Sequence, residues 1–329
     1  MRIAVLGAGS WGTALAVHAA RLPDEVRRWG RSAETAERLE RERENPRYLP
    51  GLTFPRNLRV SADAEVVDDV DLVLVAVPSG AFRETLRWLQ PRLGPGQAVA
   101  WATKGLTSSG AWLHEVAEAE LGAGQPAALI SGPSFAAEVA RGQPTALTAA
   151  SADPERRRRL ADAFHGGSMR IYGNPDVIGV ELGGAFKNVL AVASGVADGA
   201  GFGANARAAL LTRGLAELQR LGEALGARPQ TLTGLSGLGD LLLTCTDDQS
   251  RNRRVGLLLG QGYDLATARE RVGQSVEGVE TARVAVERAH AAGVEMPICE
   301  EVHAVLYRGR RVHDAVRRLL ERDPVAEDA

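Results

Sequence analysis

The segment IAVLGAGSWGTALA, residues 3–16, restricts the fold more than any other part of the chain. Four apolar residues run straight into Gly7-Ala8-Gly9-Ser10-Trp11-Gly12, and a helical pattern follows. A Gly-x-Gly-x-x-Gly spacing alone is a weak signal, because small turns are rich in glycine. Between a strand and a helix it has a mechanical reading. Gly7 permits a tight turn, Gly9 lets the backbone approach a pyrophosphate, and Gly12 lets strand and helix pack closely. The helix start adds amide donors and a positive dipole end. Dinucleotide binding explains all of these together, whereas a purely structural βα turn needs only the first.

The first half of the chain continues in the same style. Short apolar strands are expected at 3–6, 26–29, 72–77, 98–102, 128–131, 145–149 and 169–172, with amphipathic segments such as 14–21 and 82–90 between them. Strand–helix alternation with nearly continuous apolar strands predicts a parallel α/β sheet. After Gly173-Asn174-Pro175 the strand signal stops. Helices are expected at about 177–197, 204–226, 236–245, 251–260, 264–271, 277–291, 297–308 and 311–322. The domains are therefore placed at 1–175 and 176–329, followed by a short polar tail after Arg322.

Composition removes several classes of function. A net charge of −2 gives no global attraction to nucleic acid or an anionic membrane. The run RRRR at 156–159 follows Asp153-Pro154 and reads as the solvated face of a helix capped by Asp153. The two cysteines, Cys245 and Cys299, match no metal or redox spacing and fit reduced thiols in a cytoplasm. No metal site is expected. No leader precedes the first strand pattern, and no apolar run is expected to span a bilayer, since 179–192 is interrupted by Glu181 and Lys187.

The second strand, EVRRWGRS, ends in Gly30-Arg31-Ser32 and carries no carboxylate there to accept from an adenine-ribose 2′-hydroxyl. Arg31 and Ser32 could instead hold a 2′-phosphate. NADPH is the expected cofactor, with NADH tolerated.

Several chemistry-bearing residues lie beyond the strands and in the helical half. Lys104 follows the strand at 98–102, and Gly132-Pro133-Ser134 follows the strand at 128–131. Ligands in doubly wound sheets sit beyond the carboxyl ends of the strands. In GVELGGAFKNVLAV, Lys187 interrupts an otherwise apolar helix one turn after Gly183 and Gly184. Those glycines cost helix stability and are expected to provide space around the lysine. A lysine snorkelling to solvent is the bland alternative. Asp240 sits beside glycines ahead of an apolar run, and could bond a lysine or a substrate hydroxyl. Ser250, Arg251 and Asn252 open a helix, where they suit a phosphate monoester or, for Ser250 or Asp248, a simple N-cap. Val276-Glu277 reads equally as a helix start or a cofactor contact.

The blocks GAGSWGTALA, WATKGL, ISGPSFAAE, GVELGGAFKNVLAVASGVADGAGFGANARAALLTRGLAE, GLGDLLLTCTDDQSRNRR, VEGV and GVEMPI resemble bacterial NAD(P)-dependent glycerol-3-phosphate dehydrogenase, in order and spacing, from residue 1 to about 320. The resemblance implies a Rossmann-type NAD(P)-binding domain followed by an all-α substrate-binding and catalytic domain, in the two-domain architecture of 6-phosphogluconate dehydrogenase-like proteins. It implies reversible reduction of dihydroxyacetone phosphate to sn-glycerol 3-phosphate, supplying phospholipid synthesis, and it is compatible with a homodimer through the helical domain.

By the same resemblance, Gly7, Gly9, Ser10, Trp11, Gly12, Arg31, Tyr48, Lys104, Ala136, Arg251, Val276 and Glu277 are cofactor positions. Lys104, Gly132, Ser134, Lys187, Asp240, Ser250, Arg251 and Asn252 are substrate positions, and Lys187 is the catalytic lysine. Partial burial and a second cation, Lys104, are expected to favour its neutral form, and Gly183 and Gly184 are expected to leave room for a three-carbon substrate. Two rivals stand beside this reading. One is a two-domain dehydrogenase acting on a hydroxy or sugar acid, which would not need the phosphate group. The other is a non-catalytic NADPH sensor, which would not need Lys104, Lys187 and Asp240 together.

Overall fold

The computed structural model describes residues 1–329 except 23, 123, 126, 274, 275 and 323–329, so the expected polar tail lies outside the described residues. Two compact units divide the chain. The first is Met1–Thr107 with Ala111–Val177, and the second is Ser108–Gly110 with Ile178–Ala329.

In the first unit the order is β1 (Arg2–Leu6), α1 (Ser10–Ala19), β2 (Glu25–Trp29), α2 (Ala33–Glu42), β3 (Glu44–Asn45), β4 (Leu49–Thr53), β5 (Leu58–Ser61), β6 (Leu72–Val75), α3 (Ser79–Leu89), β7 (Ala98–Trp101), α4 (Leu113–Leu121), β8 (Leu129–Ser131), α5 (Ala136–Arg141), β9 (Thr145–Ala150), α6 (Pro154–Phe164) and β10 (Met169–Asn174). Eight strands form one sheet in the order β10-β9-β8-β7-β6-β1-β2-β5. β6 and β7 are buried at every residue, as expected of strands covered on both faces. The chain winds outward from β1 to β2 in one direction and from β6 to β7 in the other, so the topological switch lies between β1 and β6.

One strand pair of the sheet departs from the parallel expectation, and three strands, β3, β4 and β5, lie outside the expected ones. β8 and β9 pair antiparallel. β5 joins the sheet at an edge, while β3 and β4 form a separate ribbon. Only two of the four β5 residues are fully buried, and the β4 segment contains Pro50 and Gly51. Neither segment has the apolar continuity that marks a central strand. α6 starts as expected, with Pro154 in its first turn and the Asp153 side chain accepting from Glu155 N at 2.8 Å.

The second unit is helical: α7 (Val177–Gly199), α8 (Ala204–Ala224), α9 (Pro229–Leu232), α10 (Asp240–Thr246), α11 (Arg251–Gly260), α12 (Leu265–Val272), α13 (Glu277–Ala291), α14 (Pro297–Tyr307) and α15 (Val312–Leu320). The expected helix over 236–245 divides into a π-helical turn at Leu235–Gly239 and α10. Gly237 explains the irregular turn: a Cβ there would lie 1.9 Å from the Leu232 carbonyl oxygen. By length and composition α7 could cross a membrane, contrary to expectation, but nearly all of it is buried inside the protein. It is the core helix of its unit.

Candidate functional site

One cluster of the expected residues forms at the carboxyl edge of the sheet in the first unit. Gly7 leaves β1 at φ +136°, and a Cβ there would lie 2.4 Å from the Ala76 carbonyl oxygen. Both the dihedral and the clash demand glycine. A Cβ on Gly12 would lie 2.9 Å from the Gly7 oxygen, so this glycine sets the approach of α1 to the loop. A Cβ on Gly9, by contrast, would meet nothing within 4 Å. The space over Gly9, at the start of α1, is what a diphosphate close to the backbone needs. Ser10 begins α1, and the half-buried Trp11 next to it holds a buried Nε1 without a hydrogen-bond partner. The residues present therefore fit a dinucleotide.

Sequence reasoning missed the support beneath this loop. Thr13 Oγ1 donates to Gly9 O at 2.7 Å, while Asn45 Nδ2 donates to Ala8 O at 3.1 Å and to Thr13 Oγ1 at 2.9 Å. The Thr13 bond follows from helical i,i+4 spacing. Asn45 comes from β3 and carried no signal.

Other expected cofactor residues fall nearby or at the edge. Lys104 Nζ donates to Gly132 O at 3.1 Å and lies 5.9 Å from the Trp11 ring centroid. Ser134 Oγ donates to the same oxygen at 2.9 Å. Gly132 adopts φ +138°, and Ala136 opens α5. Arg31 is exposed, and Ser32 caps α2 by accepting from Thr35 N at 3.2 Å. The half-buried Tyr48 ring is stacked by Arg47, whose Cζ is 5.3 Å from the centroid.

A second cluster lies in the helical unit. Lys187 on α7 is buried, so the snorkelling alternative fails. Its Nζ lies 2.5 Å from Asp240 Oδ1 and 3.1 Å from Thr244 Oγ1. Asp240, at the start of α10, is fully buried, and Thr244 one turn on donates to the Asp240 backbone oxygen at 2.6 Å. Of the two partners open to Asp240, the structure shows the lysine. A buried ammonium would be costly alone; here a carboxylate and a hydroxyl compensate it and fix its position. Thr244 was legible in principle, since it sits four residues after Asp240 on one helix face.

The expected space around Lys187 is not at Gly183. A Cβ on Gly183 would lie 2.3 Å from the Ser236 oxygen and 3.1 Å from Gly237 Cα, so backbone already occupies that volume. Gly183 serves the close approach of the 235–239 turn that leads into Asp240. It makes no room for a ligand.

The start of α11 is tied to its neighbours. Ser250 is its N-cap, its Oγ accepting from Arg253 N at 3.2 Å, which leaves the hydroxyl proton to donate elsewhere. Asn252 Nδ2 donates to Asn188 Oδ1 at 2.8 Å, and Asn252 Oδ1 accepts from Gly278 N at 2.8 Å. One amide thus links α7, α11 and α13, and Asn188 is the residue after Lys187. Arg251 is half-buried. Arg253 is buried and pairs with Asp198 at 2.6 Å, which also takes Arg207 at 2.8 Å. Val276 is buried just ahead of Glu277, the first residue of α13. Both cysteines are buried and unbridged, and among the described residues no group of metal-ligating side chains forms.

A doubly wound sheet with a glycine loop at its switch point, followed by a helical unit holding a buried lysine–aspartate pair, defines a two-domain nicotinamide-dependent dehydrogenase. Residues 2–157 match the NAD-dependent glycerol-3-phosphate dehydrogenase N-terminus and residues 176–317 its C-terminus. The chain belongs to the NAD-dependent glycerol-3-phosphate dehydrogenase family. It is 58% identical over 327 residues to the glycerol-3-phosphate dehydrogenase [NAD(P)+] of Thioalkalivibrio sulfidiphilus, covering 99% of this chain and 98% of that one. The enzyme of the same name from Pseudoalteromonas translucida is 51% identical over 328 residues, covering 99% and 98%. The crystal structure of glycerol-3-phosphate dehydrogenase from Coxiella burnetii superposes with a TM-score of 0.94 at 46% identity, covering 98% of this chain and 99% of that one. A ketopantoate reductase from Ralstonia eutropha shares the fold alone, at 18% identity and a TM-score of 0.60.

Proposed function

We propose that the chain reduces dihydroxyacetone phosphate to sn-glycerol 3-phosphate, reversibly, with Lys187 as its acid/base. The observation that carries this reading is the buried Lys187–Asp240 pair, 2.5 Å apart, in a family of glycerol-3-phosphate dehydrogenases. The nicotinamide, when bound, supplies a hydride to C2 of the ketone. Negative charge then grows on the carbonyl oxygen, where an ammonium stabilises it and donates a proton. In the oxidative direction the neutral amine of Lys187 removes the hydroxyl proton. Asp240 and Thr244 hold Nζ on one line of approach, which limits the reorganisation needed at reaction.

Arg251 and Asn252, at the start of α11, and Ser250 beside them are assigned to the phosphate, supported by charge and by the helix N-terminus. Lys104, Gly132 and Ser134 complete the substrate contacts, with Lys104 orienting and polarising the ketone. Gly7, Gly9, Ser10, Trp11, Gly12, Arg31, Tyr48, Lys104, Ala136, Arg251, Val276 and Glu277 are assigned to the cofactor. The exposed Arg31 supports a preference for NADPH over NADH. Domains at 1–175 and 176–329 rest on the end of the strand pattern near 175 and a cytoplasmic location on the two unpaired thiols, while supply of phospholipid synthesis and a homodimer through the helical domain rest on the family resemblance.

The test is cofactor oxidation with dihydroxyacetone phosphate against unphosphorylated dihydroxyacetone, using NADPH and NADH side by side. Fast turnover with the phosphorylated ketone alone is expected. Equal turnover with both ketones would remove the phosphate contacts, and no turnover with either would end the reading.

A further inference from the structure

Arg28 stands apart from the other buried cations. Among the described residues Lys187 and Arg253 are buried against carboxylates, Asp240 and Asp198 respectively. Arg28 is fully buried, and no described carboxylate pairs with it. Its Nε donates to Gly7 O at 3.3 Å, its Cζ lies 5.7 Å from the Phe54 ring centroid, and both terminal guanidinium nitrogens are buried without a partner. Strand alternation puts Arg28 on the same side of β2 as the buried Val26, where an apolar residue would be the ordinary choice. Burial lowers the guanidinium from its ordinary range to about 10, so it stays charged at neutral pH. The fold holds an uncompensated positive charge against the first glycine of the dinucleotide loop.

Such a charge is a liability for the protein alone. It becomes favourable when an anion arrives across a medium that screens little. We infer that Arg28 is a positioning residue for the cofactor: its Nε fixes the Gly7 peptide, and its buried charge is balanced by the diphosphate taken up over Gly9. This inference rests on the reading of the glycine loop as the diphosphate site. Arg28 does not touch the ligand. It acts through the loop and through its field, so both nicotinamide dinucleotides gain equally from it.

The experiment is titration of NADPH and NADH by fluorescence into the full-length wild type, Arg28→Met and Arg28→Lys, with thermal melts of each protein free of cofactor and steady-state kinetics. Arg28→Met is expected to weaken both dinucleotides about tenfold and to raise the melting temperature of the free protein. It should leave kcat at saturating cofactor and KM for dihydroxyacetone phosphate unchanged. Arg28→Lys should recover part of the affinity. If Arg28→Met does not fold, Arg28→Gln keeps a donor for Gly7 O without the charge and carries the same affinity test. Unchanged dinucleotide affinity, or a lower melting temperature with no loss of affinity, would make Arg28 merely structural and overturn the inference. A loss confined to NADPH would also overturn it, by assigning the charge to the 2′-phosphate. Failure of the wild type to bind either dinucleotide would instead refute the glycine-loop reading itself.

Discussion

Replacing Gly195 by alanine separates two opposed expectations. Helix propensity alone says that alanine in place of a helical glycine stabilises by about 1 kcal/mol. The packing of α7 on α11 says the reverse. A Cβ at Gly195 would lie 2.1 Å from the Arg253 oxygen, and ones at Gly199, Gly256 and Gly260 would lie 2.2, 2.2 and 2.3 Å from the oxygens of Leu257, Val192 and Val196. All four obstacles are backbone, so no rotamer change relieves them. Ordinary contact begins near 3.4 Å, and the two helices would have to part locally by about 1.3 Å. Overpacking of this kind costs about 3 kcal/mol, at the upper end of the usual range. Net of propensity, Gly195→Ala should destabilise by about 2 kcal/mol and lower Tm by about 6 °C for a unit of this size. The same displacement moves the start of α11, with Arg251 and Asn252, away from Lys187 on α7. Misplacement near 1 Å can cost up to ~10²-fold, so kcat/KM for dihydroxyacetone phosphate should fall at least tenfold. Thermal denaturation and steady-state kinetics on the one variant read both effects. A variant as stable and as active as the parent would show that the glycine seam does not set the helix spacing.

Glu217 is buried and accepts from Ile298 N at 2.7 Å, and burial raises its carboxyl from 4.5 to about 7. Between those values the folded protein holds a proton that the unfolded chain has lost, so stability should fall by ~3 kcal/mol as pH rises from about 4.5 to 7, then level off; denaturant midpoints for Glu217→Gln should lack that slope. Burial pushes both Cys245 and Cys299 thiols well above their ordinary range. Iodoacetamide followed by mass spectrometry should therefore leave the native protein unlabelled at neutral pH and modify both residues after unfolding. Asp240→Ala strands a buried ammonium and should cost 3–5 kcal/mol, about the usual range for breaking such a pair. Lys187→Met combined with Asp240→Leu should be at least as stable as the parent by calorimetry, yet turn over at least ~10²-fold more slowly.

The parts of the molecule legible in the sequence are those whose physics is local. Gly7, Gly9 and Gly12 announce themselves because one turn needs all three within six residues, and the Pro154 start of α6 and the Asp153 cap follow the same logic. Asp240 and Lys187 could each be singled out, but 53 residues separate them and only the folded helices bring the two charges together. Gly183 was misread for a related reason. A glycine tells where a side chain is missing without telling what fills the gap, and here the Ser236 backbone fills it. The β5 edge strand and the Asn45 clamp were invisible because short, polar, half-exposed segments carry no hydrophobic period. Arg28 lay in plain view in EVRRWGRS, two residues after Val26 and so on its face of the strand, yet a guanidinium in that place gives no sign that it will be fully buried.

The lysine–aspartate pair bears on why the helical unit is built as it is. Buried ion pairs are poor stabilisers compared with apolar residues of similar volume. α7 is apolar and buried along nearly its whole length, so stability alone would place another leucine or methionine at position 187. The pair also does not set the spacing of α7 against α11, because the glycine contacts from Gly195 to Gly260 do that through backbone. Nor does it fasten α7 to α13, a link already made by Asn188, Asn252 and Gly278. Backbone contacts, the Asn252 amide and the Arg253–Asp198 pair thus hold α7 against α11 and α13 without Lys187. The pair does hold α7 against α10, with the Lys187 amine fixed by Asp240 and Thr244, and an amine held in this way is what the proposed acid/base role requires.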